Sequence, residues 1–306
     1  MPRFSVILPF HNSAETLPAT LASLIAQSFT NWEAICVDDA STDESAEIIA
    51  RHAAADSRFR LVQNTGAGPS DARNYGASLA RGDYLSFCDA DDLWTPDRLS
   101  DLDRTFAAGA AEALYGRIAF FTDAPAPGAT QSAVRDQPLT VLDLLGENPV
   151  CTLSNLTLQK AAFHSAGGFD RRMVHNEDLE FLIRFAGLGY RIDAVDRLHV
   201  WYRTNPSGLS SNLDAMRAGR EQAIACARRF GFEPTPAQNA IYLRYLARRA
   251  LRVSAGRFEA LQFTRAGLSC DASAFLHPLR RGGMTTLAAL AAPVLPRSLR
   301  QTLFSS

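Results

Sequence analysis

Short runs of β-branched and aromatic residues alternate with longer amphipathic runs through the first 120 residues, and no other feature constrains the fold so tightly. Residues 4–8, 32–37, 58–63, 84–88 and 113–121 read as strands; 16–27, 44–54, 70–80 and 96–108 read as helices. The repetition predicts an α/β fold, a mostly parallel mixed sheet with helices on both faces. Ligands of such sheets sit beyond the carboxyl ends of the strands, so the residues just past each strand matter most. Pro9-Phe10-His11-Asn12 comes after the first, Asp38-Asp39-Ala40-Ser41 after the second, residues 64–68 after the third and Asp89-Ala90-Asp91-Asp92 after the fourth. Two of the four are carboxylate clusters.

Further along, 122–137 is a polar loop with Pro and Gly, 153–158 is strand-like, and Gly167-Gly168-Phe169-Asp170 is a turn. Residues 179–188 read as a helix, 190–195 and 198–202 as short strands, and the chain is helical from about 212. The expected organisation is one α/β domain over 1–211 and a helical, Arg-rich extension over 212–306.

With 47% apolar and 21% charged residues, the chain is neither disordered, collagen-like nor a multi-span membrane protein. Net charge is −1, yet residues 241–306 hold ten Arg against Glu259 and Asp271. Five cysteines without tight spacing predict buried free thiols, with no disulfide framework and no zinc site. The apolar run at 4–8 is too short for a leader, and the one at 284–295, broken by Pro293, is too short to span a bilayer. A cytoplasmic protein is expected.

Asp89 and Asp91, two apart after a strand, reach the same side when the chain turns; they offer hard oxygen ligands for Mg²⁺ or Mn²⁺ with positions left for phosphate. The plainer reading is a solvated turn in which Asp92 or Thr95 caps the helix entered at Pro96. Asp38 and Asp39 suit a base imide and a ribose hydroxyl, or are solvated beside a cap at Thr42 or Asp43. Gly66-Ala67-Gly68-Pro69-Ser70 opens a helix with free amides for an anion, and Arg73 one turn on can meet a pyrophosphate. His175-Asn176-Glu177-Asp178 precedes a helix, where carboxylates serve the helix dipole or act as a general base.

Taken together, these segments resemble the family 2 glycosyltransferases, inverting enzymes with a nucleotide-sugar donor and the GT-A fold. The likeness rests on Val6-Ile7-Leu8-Pro9-Phe10-His11-Asn12, on Val37-Asp38-Asp39-Ala40-Ser41-Thr42-Asp43 and on Gly68-Pro69-Ser70-Asp71-Ala72-Arg73-Asn74-Tyr75-Gly76. It continues through Gly82–Asp92 and in Gly167-Gly168-Phe169-Asp170 followed by Asn176-Glu177-Asp178, covering roughly residues 3–210 in order. The resemblance implies that Pro9, His11, Asn12, Asp38 and Asp39 hold the base and ribose, with Arg73, Asp89, Ala90 and Arg203 also facing the donor. It implies Asp89 and Asp91 as the Asp-X-Asp element on Mn²⁺ or Mg²⁺, Asp178 as the base, and a UDP-sugar donor with GDP or dTDP as alternatives. Surface or exported polysaccharide assembly on a sugar or lipid-linked acceptor would be the setting.

The chain departs from the family pattern at Asn205, where His is often found in Tyr202-Arg203-Thr204-Asn205 before a Ser-containing stretch; His199 is the substitute third ligand considered. Ala40 stands where the family more often has Gly. No Gln-X-X-Arg-Trp element follows Asp178, which suggests the non-processive branch. In the tail, Arg244, Arg248 and Arg252 form a stripe at i, i+4, i+8, suited to an anionic membrane surface or to a solvated face of a packed helix. Nucleic acid is disfavoured, since no recognition motif accompanies the charge. A nucleotidyltransferase on a similar sheet would carry a Gly-rich basic loop where Pro9-Phe10-His11-Asn12 stands. A non-catalytic sugar-nucleotide-binding relative would not need Asp89, Asp91 and Asp178.

Overall fold

Strands covered by helices on both faces must be apolar throughout, and β1 (Phe4–Phe10) and β2 (Trp32–Asp38) are buried along almost their whole length. Between and after them run α1 (Leu17–Ile25), α2 (Ser45–Ala55), β3 (Phe59–Gln63), α3 (Pro69–Leu79), β4 (Tyr84–Phe87), β5 (Leu93–Trp94), α4 (Arg98–Ala108) and β6 (Ala113–Phe121). Then come α5 (Val141–Gly146), a 3₁₀ turn (Leu153–Asn155), β7 (Thr157–Gln159), α6 (Lys160–Ser165), α7 (Glu177–Gly187) and β8 (Ile192–Arg203). The helices α8 (Leu213–Arg229), α9 (Pro236–Arg252), α10 (Glu259–Leu276) and α11 (Leu279–Ala291) complete the order. This computed structural model describes residues 1–109, 111–204, 212–253, 256 and 258–296. The chain divides into two units, residues 1–139 with 149–204, and 140–148 with 205–306.

The first unit holds an eight-stranded mixed sheet in the order β3-β2-β1-β4-β7-β6-β8-β5. The β1–β2, β2–β3, β1–β4 and β6–β8 pairs are parallel; β4–β7, β6–β7 and β5–β8 are antiparallel. With β1 between β2 and β4, the loops carrying Asp38-Asp39 and Asp89–Asp92 flank the loop after Phe10. One core packs α1, α2 and α4 on the sheet through Leu17, Leu21, Ile49, Leu99 and Leu102. On the other side Phe87 of β4 meets Phe163 and Phe169, and these meet Phe181 of α7 at ring separations of 4.9–5.7 Å. That aromatic cluster fixes the start of α7 relative to the end of β4. Asn74 reinforces it through both ends of its amide: Nδ2 donates to the Phe169 carbonyl and Oδ1 accepts from the Phe169 amide.

Several expectations change. The expected strand at 153–158 is a 3₁₀ turn followed by a short strand, because Asn155 turns inward to bond both backbone groups of Gly116. The two strands expected at 190–202 are one, β8, with register shifts against β6 near Arg117. α4 begins at Arg98 without a side-chain cap, so neither Asp92 nor Thr95 caps it. All five cysteines are free, with Cys36, Cys88 and Cys226 buried but Cys151 and Cys270 exposed.

In the second unit, Leu213, Leu246, Ala250, Leu251, Ala260, Ala289 and Ala292 form a separate core. Thr140–Asn148 groups with these helices and not with the expected first domain. Ile241 of α9 packs on Gly146, Arg220 donates to the Leu145 carbonyl, and Glu147 lies 2.7 Å from Arg281 and 3.8 Å from both Arg244 and Arg248. The Arg stripe on α9 therefore turns inward at its start. Arg244 is buried and its Nη1 donates to the carbonyls of Ala274, Phe275 and His277 at the end of α10. Among the described residues, no helix is long and apolar enough to cross a membrane.

Candidate active site

Side chains lace together the loops after β1 and β2. Asn12 Oδ1 accepts from the Thr42 amide at 2.8 Å, and His11 Nδ1 donates to the Asp39 carbonyl at 2.7 Å. Asp43 accepts from the amides of Ala14 and Ser45, each at 3.0 Å, and so secures the start of α2 and the neighbouring loop at once. Asp38 is buried, with Oδ1 on the Ser41 amide and Oδ2 on Gln63. Asp39 accepts from the Gly68 amide at 2.9 Å and Asn64 at 2.8 Å, which ties it to the head of α3. Pro9 sits in β1 opposite Val37. The residues proposed for the base and ribose thus share one edge of the sheet.

The second group lies after β4. Asp89 is pinned at three points: its amide donates to Ser154 Oγ at 2.9 Å, Oδ1 accepts from Arg73 Nη2 at 2.7 Å, and Oδ2 stands 3.2 Å from Thr152 Oγ1. Arg73 is buried in α3, and its Nη1 reaches Glu177 Oε1 at 3.0 Å. One guanidinium therefore joins the carboxylates after β4 to those opening α7. Such a buried cation with two carboxylate partners is held charged. Asp92 is wholly buried, with Oδ1 on the Arg203 amide at 3.0 Å and Oδ2 3.3 Å from Thr152 Oγ1. Arg203 Nε donates to the Asp91 carbonyl, Nη1 donates to the Thr122 carbonyl, and the guanidinium lies over Phe121. Ala90 is buried and its carbonyl accepts from Thr20.

These carboxylates are short of positive charge. Burial, and then the neighbouring Asp89, pushes Asp91 up to about 6; Asp92 is driven well above the usual carboxylate range for the same reasons. Burial and Glu177 raise Asp178 to about 7, against the opposing pull of Arg73. Among the described residues no three His, Cys, Asp or Glu side chains converge as a complete metal cage. The donor set still fits a divalent cation that takes its remaining ligands from phosphate and water, since crowded hard oxygens are what such an ion relieves. Of the two, Asp89 is already engaged by Arg73 and Thr152, which leaves the Asp91 carboxylate the freer to accept such an ion.

His199 is not a third ligand. It is fully buried on β8, packed on Gly116 and 3.4 Å from Asp101, and burial beside Arg98 depresses it to about 4. Arg73, expected to face the donor, is buried and pairs with Asp89 and Glu177. Asn205 and the stretch 206–210 lie outside the described residues. Thr152 and Ser154 escape sequence reasoning, since nothing local marks two hydroxyls that meet Asp89 and Asp92 only through the fold. A depression of about 350 Å³ lined by Thr95, Asp97, Asp101, Arg117 and Arg197 shares none of these residues.

Backbone strain collects around the same place. The non-glycine residues with left-handed φ among those described are Asn12, Ala40, Cys151 and Asn176. They occupy the loops after β1 and β2, the approach to Thr152, and the residue before α7. Such conformations cost about 1–3 kcal/mol each and persist where surrounding contacts hold a functional shape.

The family model described as "Glycosyl transferase family 2" matches residues 5–166. The "Putative teichuronic acid biosynthesis glycosyltransferase TuaG" of Bacillus subtilis is 39% identical over 101 residues, 32% of this chain and 39% of that protein. The UDP-Glc:alpha-D-GlcNAc-diphosphoundecaprenol beta-1,3-glucosyltransferase WfgD of Escherichia coli is 34% identical over 96 residues, 31% of this chain and 37% of that one. The matches thus span about two-fifths of these relatives. The mannosyltransferase PcManGT from Pyrobaculum calidifontis, solved with GDP-Man and Mn²⁺, superposes with a TM-score of 0.62 at 21% identity, over 99% of this chain and 84% of that one. The fold is the GT-A arrangement of an α/β sheet with helices following it.

Proposed function

Because the chain belongs to glycosyl transferase family 2, we propose that it transfers a sugar from a UDP-sugar to an acceptor hydroxyl by direct displacement with inversion. The observation that carries this reading is Arg73, which links Asp89 to Glu177 and so sets a donor-side carboxylate pair against a general base on α7. The loop residues Pro9, His11, Asn12, Asp38 and Asp39 lie at the neighbouring strand ends, where the nucleoside would rest.

In this mechanism the acceptor oxygen attacks the anomeric carbon and its proton passes to a carboxylate oxygen of Asp178. The bond from the anomeric carbon to the diphosphate oxygen breaks, and the electron pair leaves with the nucleoside diphosphate. A pKa of about 7 suits Asp178 to the role, because about half of the molecules carry it ionised at neutral pH while it is basic enough to take the proton. Asp91, with Asp89, would hold Mn²⁺ or Mg²⁺, which supplies charge neutralisation on the leaving diphosphate. Arg203 steadies the Asp91 backbone from the far side. Arg73 keeps the two carboxylate groups in fixed relation.

The acceptor we propose is a lipid-linked sugar at the inner face of the membrane, in surface or exported polysaccharide assembly. TuaG and WfgD support this by what their names state of them. The test is a thermal-shift titration with UDP, GDP and dTDP, each with and without Mn²⁺, on wild type and Asp91→Ala. Stabilisation by UDP that requires Mn²⁺ and disappears in Asp91→Ala is expected. A shift with GDP or dTDP alone would reassign the donor, and no shift with any nucleotide would remove the enzymatic reading.

A further inference from the structure

The last described helix is amphipathic the wrong way round for a packed surface helix. On α11 the buried positions are Gly282, Thr285 and Ala289. A Cβ at Gly282 would meet the Leu276 backbone at 2.4 Å, so the helix is seated closely on the end of α10 through its smallest residues. Its large apolar residues point outward. Leu279, Met284, Leu287, Leu290 and Val294 are between 57% and 81% exposed. At 100° per residue the four that lie on α11 share an arc of roughly 140°, broken in its first turn by the exposed Arg280, and Val294 follows just past the end of the helix; together they leave an apolar surface in water.

Charge identifies what would cover that face. No Asp or Glu occurs from residue 272 to the end of the sequence, whereas Arg280, Arg281, Arg297 and Arg300 do. Arg280 and Arg281 stand in the first turn of α11, where the helix dipole disfavours cations, so helix stability does not account for them. Nearby, Arg244, Arg248 and Arg281 share the single carboxylate of Glu147, which leaves local positive charge uncompensated. An apolar face with an arginine-rich flank and no carboxylates matches a bilayer containing anionic lipid.

We infer that α11 lies in the plane of an anionic membrane, with Leu279, Met284, Leu287, Leu290 and Val294 in the headgroup–acyl boundary and Arg280 among lipid phosphates. This deepens the proposal of a lipid-linked acceptor and relocates the expected membrane contact from the Arg244–Arg248–Arg252 stripe to the next-but-one helix. The geometry is that of the second unit alone and owes nothing to the carboxylate clusters.

The experiment is flotation of the full chain with vesicles of phosphatidylcholine containing about one-third phosphatidylglycerol, and with phosphatidylcholine alone. Binding is expected to the anionic vesicles and to fall as salt rises. Leu287→Asp and Leu290→Asp should each weaken it at least about tenfold, and Arg280→Glu at least about fivefold. All three side chains are exposed, so the melting temperature should not move. UDP-dependent thermal shift on the same samples separates the two readings: vesicle binding without a nucleotide shift leaves the membrane surface standing and removes the transferase. No vesicle binding by the wild type, or binding indifferent to Leu287→Asp and Leu290→Asp, overturns the inference. So does a wild-type dimer in sedimentation that Leu287→Asp turns into a monomer without any vesicle binding, which would make the face a contact between copies.

Discussion

Like charges are crowded in both units, but of opposite sign. The unit of residues 1–139 and 149–204 has 17 basic residues against 25 acidic, and its carboxylates gather after β4 and in the first turn of α7 around one buried guanidinium. The unit of 140–148 and 205–306 has 14 arginines against seven carboxylates, and three of its guanidinium groups converge on Glu147. Folding relieves neither imbalance. Asp91 and Asp178 are raised towards neutrality, while burial and the neighbouring Arg281 and Arg252 lower Arg248 to about 10. Groups shifted first by burial and then by like-charge neighbours are candidates for sites where a ligand supplies the missing charge. On the readings proposed above, the acidic unit would take a cation and a proton, and the basic unit anionic lipid.

The strongest way to break this comparison is Asp178→Asn. If the crowding in the acidic unit serves proton transfer, kcat should fall by about 10³ or more while Mn²⁺-dependent UDP binding persists. Loss of UDP binding together with activity would instead make Asp178 part of the donor site. In the wild type, protonation of Asp178 removes the base, so kcat/KM should decline below pH about 7 with unit slope. A flat profile down to pH 5 would sink the assignment.

Two stability measurements sharpen the contrast, because removing a carboxylate should have opposite signs in the two units. Glu147→Gln leaves Arg244, Arg248 and Arg281 without their shared counter-charge and should destabilise the protein by about 2 kcal/mol. Asp178→Asn should stabilise it. A carboxyl raised from its ordinary value to about 7 gives the folded state extra protons between pH 4 and 7. Its ionisation therefore weakens the fold as pH rises through that window, and the loss is complete above it. In denaturant melts Asp178→Asn should gain about 1–2 kcal/mol at pH 8 and nothing at pH 4. Equal gains at both pH values would show that packing, not charge, is responsible.

The acidic unit was far more legible in sequence than the basic one. Strands buried on both faces announce themselves as apolar runs, and β1, β2, β4 and β6 stand within two residues of where composition puts them. Asp38, Asp39, Asp89 and Asp91 were visible because the ends of such strands are where ligands bind. Thr152, Ser154 and the bridging role of Arg73 were not, since their partners lie 16 to 104 residues away and depend on the aromatic packing beneath α7. In the basic unit, helical periodicity correctly shows an arginine stripe on α9 but cannot say which way it faces. Arg244 turns inward beside Glu147, the residue that ends a short helix the pattern does not reveal. The face that is left uncovered belongs to α11, whose small residues take the inner side.

The smallest effect tests whether the acidic unit holds conformational strain as well as charge. Ala40 has φ of 61° and is exposed, so its methyl group carries the left-handed penalty with little burial to offset it. The turn is imposed by Asp38 Oδ1, which accepts from the Ser41 amide at 2.9 Å, and by the Asp39 carbonyl on His11. Glycine at this position removes about 1–2 kcal/mol of steric cost, offset by about 0.4–1 kcal/mol from the greater freedom of the unfolded chain. Ala40→Gly should therefore raise stability by about 0.5–1 kcal/mol, or about 2–3 °C in melting temperature. UDP affinity should stay within about twofold, because side chains on either side hold the loop in the same shape. A stabilised variant with much weaker UDP binding would mean that the strained alanine itself shapes the nucleoside site. A destabilised one would mean that the turn is less constrained by Asp38 and Asp39 than their hydrogen bonds imply.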